Sequence, residues 1–396
     1  MGLKSVVLGY SDGEVNRAAS RAYGLGNNLS RPSLLELLSA EKLSELIPGA
    51  EMVKFAKNGS NVTSAALKLA RAYTGRRYIC VPNEQPFFSF DDWFIGSTLA
   101  NTGVPVEHHS LTIKFKYGDI SSISSILAEH SGQIAAVMLE PIVLPLECDC
   151  SPRCEFGECP PSLALERIAT YLRDLKILCE ANGVILIFDE MRTGFRWDLK
   201  GAQHILGTTP HLSTFGKAMA NGFSLSALVG IREIMGIAST NIKGTSRTFL
   251  LSSTHGAEMG PLGAFIKVCE IFARENVSKR LWTYGGKLKE TFQELIRSYG
   301  LSDILSCRGL GVAPQLEFGQ FNGVDNKILM TYFFELMVEE RILMPTISHS
   351  FSHSEKDLKH TLEAIDRVLQ KISRLDLSDI PLKSSTLIEP VFRKFN

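Results

Sequence analysis

The chain predicts an α/β fold, with a large domain built on a mostly parallel sheet and a smaller α+β domain after it. Three observations carry this expectation. Short apolar runs of strand length alternate with amphipathic stretches through the first two thirds of the sequence. One such run, Val184 to Phe188, ends abruptly in Asp189-Glu190, the pattern of a buried strand that delivers a carboxylate at its end. From about Pro261 the texture changes to long helical stretches with fewer strands. The expected organisation is a short N-terminal segment (1–30), a large domain (31–260) and a small C-terminal domain (261–396).

The elements follow in order. Met52 to Ala56 reads as a short strand, and Asn58-Gly59-Ser60-Asn61 opens a helix whose apolar face carries Val62, Ala66, Leu69 and Tyr73. Tyr78 to Val81, Ala135 to Leu139 and Val184 to Phe188 read as buried strands. Between the last two, apolar positions at Leu165, Ile168, Leu172, Leu175 and Leu178 predict a helix from Leu163 to Asn182, stopped at Asn182-Gly183. Ala227 to Gly230 is a further strand. Phe265 to Gly300 predicts two helices, and Gly309 to Val312 begins a sheet in the small domain. Ser354-Glu355-Lys356-Asp357 resembles a capping box and starts a last helix that runs to about Ile372.

Composition narrows the function classes. Lysine plus arginine equal aspartate plus glutamate at 42 each, so nothing favours a polyanionic partner. No apolar run approaches the roughly 20 residues needed to span a bilayer. The N-terminus has no apolar stretch of signal-peptide length, so the cytoplasm is the expected compartment and the sequons at Asn61 and Asn276 carry no weight. Four of the eight cysteines cluster as C-x-C-x3-C-x4-C: Cys148, Cys150, Cys154 and Cys159. Free thiols, a structural metal and disulfides are all open for them, since the paired C-x2-C knuckles of common zinc sites are missing. Cys80, Cys179, Cys269 and Cys307 lie in apolar contexts and read as core filler.

The chemistry is carried by Lys217, in Leu212-Ser213-Thr214-Phe215-Gly216-Lys217-Ala218-Met219, and by Asp189, which precedes it by 28 positions. A lysine among small residues and a strand-end aspartate suit pyridoxal phosphate (PLP): the lysine to hold it as an imine, the aspartate to keep its pyridine nitrogen protonated. The plain alternative for a lone lysine is a solvated surface charge. An apolar run ending in Asp-Glu also fits an ATPase, but that reading needs a Gly-x4-Gly-Lys-Ser/Thr loop, and none exists here. Asn58-Gly59-Ser60-Asn61 is the second signal. Its glycine admits close backbone approach, and Ser60 adds a hydroxyl to the free amides of a helix N-terminus, which suits a phosphate; an ordinary capped turn is the competing reading.

Taken in order, these motifs resemble class III PLP-dependent aminotransferases, within them the glutamate-1-semialdehyde aminomutase-like branch. The resemblance rests on Glu51 to Phe55, Asn58-Gly59-Ser60, Lys68 to Arg76, Leu139-Glu140-Pro141, Phe188 to Arg196, Gly201-Ala202-Gln203, Gly207 to Pro210 and the Lys217 stretch. It runs from about residue 8 into the final helix. It implies the PLP-dependent transferase fold type I. Lys217 is then the Schiff-base lysine and Asp189 the pyridine partner. Gly59 and Ser60, with Asn61 beside them, form the phosphate cup. Phe87 stacks on one face of the cofactor, where the family more often has a Tyr-His-Gly turn, and Met191 covers the other. Ser253 and Thr254 reach the phosphate of a partner subunit in a homodimer, and Glu140 is a conformational or substrate-linked glutamate. The chain departs from the pattern at His255-Gly256-Ala257-Glu258, where a Gly-Asn-Pro turn is usual, and at the cysteine loop. Met1 falls where the later part of the family's N-terminal segment would lie, so 1–30 is expected to be a remnant of it. No counterpart of the aminomutases' Ser-Pro-Val-Arg carboxylate-holding segment is found. The implied activity moves an amino group from a donor such as glutamate to an aldehyde, keto acid or keto sugar. Alternatives are the intramolecular transfer of an aminomutase and a low-activity or non-catalytic relative of the same fold.

Overall fold

The computed structural model describes residues 1–84, 87–143, 161–239, 248–251, 254–320, 325–376, 380–389 and 391. The four clustered cysteines and Ser253 lie outside these residues. The chain divides into two compact units, the larger within Gly2–Leu146 and Ser162–Asn276 and the smaller within Val277–Val391.

The larger unit is organised by a seven-stranded sheet. Its strands are β1 (Met52–Ala56), β2 (Tyr78–Pro82), β3 (Thr112–Phe115), β4 (Ile134–Leu139), β5 (Ile185–Asp189), β6 (Leu212–Phe215) and β7 (Ser226–Gly230). They lie in the order β1-β7-β6-β5-β4-β2-β3. All neighbours are parallel except β7, which runs antiparallel to both β1 and β6. Every residue of β4 and β5 is buried, which explains why their sequences are unbroken apolar runs rather than alternating ones. Gly230 pairs with both Met52 and Leu212. A Cβ there would meet the Leu212 side chain at 2.4 Å and the His211 carbonyl at 2.6 Å, so only glycine lets β7 close against β6.

The helix Gly59–Thr74 lies against this sheet. Asn58 caps it by accepting the Asn61 N–H at 3.1 Å, and Gly75 ends it in the left-handed region with φ 69. Val62, Ala66 and Leu69 share an apolar core with Val81, Ile187 and Leu228. At the N-terminal end of the chain, the helix Gly13–Tyr23 packs along the helix Met259–Glu275 through small residues. A Cβ on Gly263 would sit 2.8 Å from Ala22 Cβ and 2.9 Å from the Ala18 carbonyl. The Arg274 guanidinium donates to Glu14 Oε1 at 2.6 Å along the same seam. A division of the chain at 261 would cut through this helix pair.

The smaller unit contains the antiparallel hairpin β8 (Leu305–Leu310) and β9 (Ala313–Phe318) with the helices Val277–Ser298, Asn326–Glu339 and Glu355–Ile372. Its sheet therefore starts before Gly309, and Gly311-Val312 is the turn of the hairpin rather than a strand. The last helix starts with the expected capping box, Ser354 and Asp357 each bonding the other's backbone amide. Phe292, Phe333, Ile365 and Val368 fill its core. Cys80, Cys179, Cys269 and Cys307 are buried free thiols. Among the described residues no helix is long and apolar enough to cross a membrane.

Candidate active site

Strand direction decides what meets at the site. Because β1 and β6 are each antiparallel to β7, they are parallel to one another, and both point the same way as β5 and β4. All four strands therefore release their C-terminal residues at one edge of the sheet, where ligands of open α/β sheets bind. Glu140 follows β4, Asp189 ends β5, Lys217 follows β6, and Asn58 to Ser60 follow β1. These residues line a single cavity of about 540 Å³. That is the volume range of small-molecule sites.

Asp189 is 2% exposed. Its Oδ1 accepts the Met191 N–H at 3.0 Å and the Thr214 hydroxyl at 3.1 Å, Thr214 being its neighbour across the β5–β6 ladder. Burial, with the nearby Glu140 charge, raises its pKa from 3.8 to about 7 against the opposing pull of Lys217 and these hydrogen bonds. The adjacent Glu190 has a different task. It is fully buried and accepts the Ala202 N–H at 2.9 Å and the Gln203 N–H at 2.8 Å, as well as the Thr193 hydroxyl. It thus caps the helix Ala202–Leu206 and holds the loop after β5.

Lys217 opens a single 3-10 turn, Lys217–Ala220, and is half-buried with a left-handed backbone (φ 47). Gly216 before it is extended. A Cβ on Gly216 would lie 2.7 Å from Met191 Sδ, and one on Gly59 would lie 3.2 Å from the same sulfur. Met191 is thereby wedged between the lysine turn and the start of the helix Gly59–Thr74. Ser224 and Ser226 donate to the carbonyls of Lys57 and Asn58, each at 2.7 Å, which ties the approach to β7 to the turn after β1.

The Ser60 hydroxyl oxygen accepts the Phe90 N–H at 3.1 Å, and the Thr63 hydroxyl donates to the Phe88 carbonyl at 3.0 Å. These bonds fasten the segment 87–90 to the first turn of the helix. Phe87 lines the cavity and meets Phe94 edge-on at 5.8 Å. Glu140 is 3% exposed and paired with Arg192, whose Nε donates to Glu140 Oε2 at 2.7 Å.

Of the residues singled out in the sequence, Gly59, Ser60, Phe87, Glu140, Asp189, Met191 and Lys217 line the cavity. Asn61 and Thr254 do not. Asn61 spends its amide on the Asn58 cap, and Thr254 is exposed. The sequence reading assigned no individual role to Arg192 or Ser5, which also line the cavity, and carried Asn58 only as part of the Asn58-Gly59-Ser60-Asn61 turn. Asn58 carried a usable signal in its Asn-x-x-Asn capping spacing. Arg192 and Ser5 carried none, since their position depends on long-range folding.

This donor set fits PLP. Asp189 is a buried carboxylate with no cation in ion-pair contact among the described residues, and both of its hydrogen bonds land on Oδ1. A protonated pyridine nitrogen is the partner that would restore its charge. Lys217 reaches the same cavity, and the glycine-serine turn at a capped helix start is suited to a phosphate.

The family model described as Aminotransferase class-III matches residues 1–340. The 3-aminobutyryl-CoA aminotransferase of Cloacimonas acidaminovorans is 28% identical over 375 residues, covering 93% of this chain and 83% of that one. Among solved structures, the PLP internal aldimine form of the FumI protein of Sphingopyxis sp. MTA144 superposes with TM-score 0.80 at 26% identity, covering 95% of this chain and 84% of that one. An omega-transaminase from Sphaerobacter thermophilus has the same fold, with TM-score 0.77 at 22% identity over 93% of this chain and 85% of that one. The chain belongs to the class III aminotransferase family and is a PLP-dependent aminotransferase.

Proposed function

We propose that this enzyme performs an intermolecular amino transfer, from a donor such as glutamate to an aldehyde, keto acid or keto sugar, with Lys217 and Asp189 as its catalytic pair. The observation that carries this reading is the meeting of Lys217 with a buried aspartate that lacks a cation, on one cavity at the edge of the parallel strands. Bound PLP supplies an electron sink for charge developing at the substrate carbon. Asp189 would keep the pyridine nitrogen protonated. The Lys217 amine would take the proton from the substrate Cα as a general base and deliver it, as an acid, to the cofactor carbon that receives the amino group. Gly59 and Ser60 would hold the phosphate, with Asn61 behind them in the same turn. Phe87 and Met191, which line the cavity, would bound the two faces of the ring. Glu140 holds Arg192.

The active assembly is a homodimer in which Ser253 and Thr254 serve the partner's phosphate. The exposure of Thr254 and of the large apolar Phe90 and Phe249, 58% and 61%, supports it. The cytoplasm remains the expected compartment. The name of the Cloacimonas relative adds β-amino thioesters to the donors worth testing.

The deciding experiment adds glutamate to the PLP-loaded protein. The visible absorbance of the cofactor is expected to fall while 2-oxoglutarate appears, and Lys217→Ala should abolish both. Full turnover in Lys217→Ala would sink the assignment. Indifference to glutamate with conversion of a semialdehyde and no external donor would favour the aminomutase reading.

A further inference from the structure

We propose that Lys4, next to the cavity-lining Ser5 in the N-terminal segment, binds an anionic group of the substrate; the inference rests on the amino-transfer reading of this cavity. The segment is fastened by the turn that carries Lys217. Asn221, which ends that turn in the left-handed region, accepts the Leu8 N–H at 2.9 Å and donates from Nδ2 to the Gly9 carbonyl at 3.1 Å. Val6, Val7 and Leu8 are buried, and Gly222 leaves room for Val6. So anchored, the segment places Ser5 in the cavity wall and Lys4 beside it, half-buried. The Lys4 backbone is left-handed, with φ 72, a conformation that non-glycine residues seldom hold.

Among the described residues no carboxylate lies in ion-pair contact with the Lys4 ammonium. The charged groups that bear on it are Arg192, Arg196 and Lys217, against one carboxylate, Glu140, which already pairs with Arg192. Burial and these cations lower its pKa to about 8, so it is still protonated at neutral pH. A partly buried ammonium surrounded by cations is unfavourable until an anion joins it. The turn suited to the cofactor phosphate is at Asn58 to Ser60, and the charges that bear most on Lys4 are those of Arg192, Arg196 and Glu140. The anion is therefore assigned to the substrate, as a carboxylate or a group of similar charge.

The test uses PLP-loaded protein and the pair 4-aminobutyrate and n-butylamine, which differ only in the carboxylate, with butyrate as an unreactive ligand for calorimetry. A charge-assisted hydrogen bond contributes about 1.5–3 kcal/mol, so Lys4→Gln should weaken butyrate by roughly 10-fold or more. It should lower kcat/KM for 4-aminobutyrate to a similar extent and leave n-butylamine and PLP retention unchanged. Lys4→Arg should keep butyrate binding. Equal losses for both amines, no change for either, or no binding of butyrate by the unaltered protein would each overturn the proposal. Loss of PLP from Lys4→Gln would overturn it in favour of a cofactor-phosphate role. If butyrate binding depends on Lys4 but no amine is converted, the amino-transfer reading fails while the anion site stands.

Discussion

Asp189 loses nearly all contact with water at the end of β5, and its stability effect follows from that burial. A carboxyl whose pKa rises on folding, here from 3.8 to about 7, binds its proton more tightly in the native state than in the unfolded chain. Its contribution is therefore most favourable below the unfolded value and is lost as pH rises from about 4 to about 7. Glu190, raised from 4.5 to about 7 by burial, acts in the same direction. At 1.36 kcal/mol per unit the Asp189 shift is of the order of 4 kcal/mol. Without PLP, the melting temperature should fall across this window, and Asp189→Asn should flatten the fall. PLP should restore stability near pH 7 to the unaltered protein and much less to Asp189→Asn. Turnover of that variant should drop by at least about a hundredfold, since charge developing on the ring loses its fixed partner. An Asp189→Asn protein with an unchanged pH dependence and full PLP stabilisation would refute this account.

At the scale of elements, legibility followed locality. β4 and β5 could be seen because full burial makes their sequences continuous apolar runs, and the last helix because Ser354 and Asp357 form its capping box within four residues. Lys217, Asp189 and Ser60 stood out because the chain around each is locally unusual. β6 has only four residues and gives no period to read. The reversed direction of β7 depends on Gly230 fitting against Leu212, and the placing of Lys4 on a bond between Leu8 and a side chain 213 residues away. Neither is written in any short window. The same argument applies to the helix Val277–Ser298. A Cβ on Gly285 would sit 1.8 Å from the Gly311 carbonyl and 2.4 Å from the His349 ring, whereas one on Gly286 meets nothing within 4 Å. Gly285→Ala should cost roughly 3 kcal/mol, the upper end for overpacking. Gly286→Ala should gain about 0.5–1 kcal/mol from helix propensity alone. Urea unfolding midpoints check both, and similar behaviour of the two variants would show that this crossing is not tight.

For the whole molecule the question is whether one chain completes a site. Within a single chain the cavity is lined by residues after β1, β4, β5 and β6, while Thr254 is exposed and outside the lining. The segment leading to it is held at its other end. Glu258 pairs with Lys57, the Met259 N–H donates to Asn27 Oδ1 at 2.9 Å, and His255 bonds Asn28 at 2.9 Å. An exposed threonine at the end of a tethered segment is suited to a neighbour's site. Two inactive variants make the test: Lys217→Ala, and Ser253→Ala combined with Thr254→Ala. If each site takes its lysine from one chain and its hydroxyls from the other, a mixed dimer contains one intact site. Co-expression with random pairing should then restore about a quarter of the unaltered activity. If each chain completes its own site, both halves of the mixed dimer stay defective and activity remains at the level of the separate variants. Sedimentation velocity of the mixture fixes the interpretation: recovery must track the dimer, and recovery in a monomer would refute the shared site.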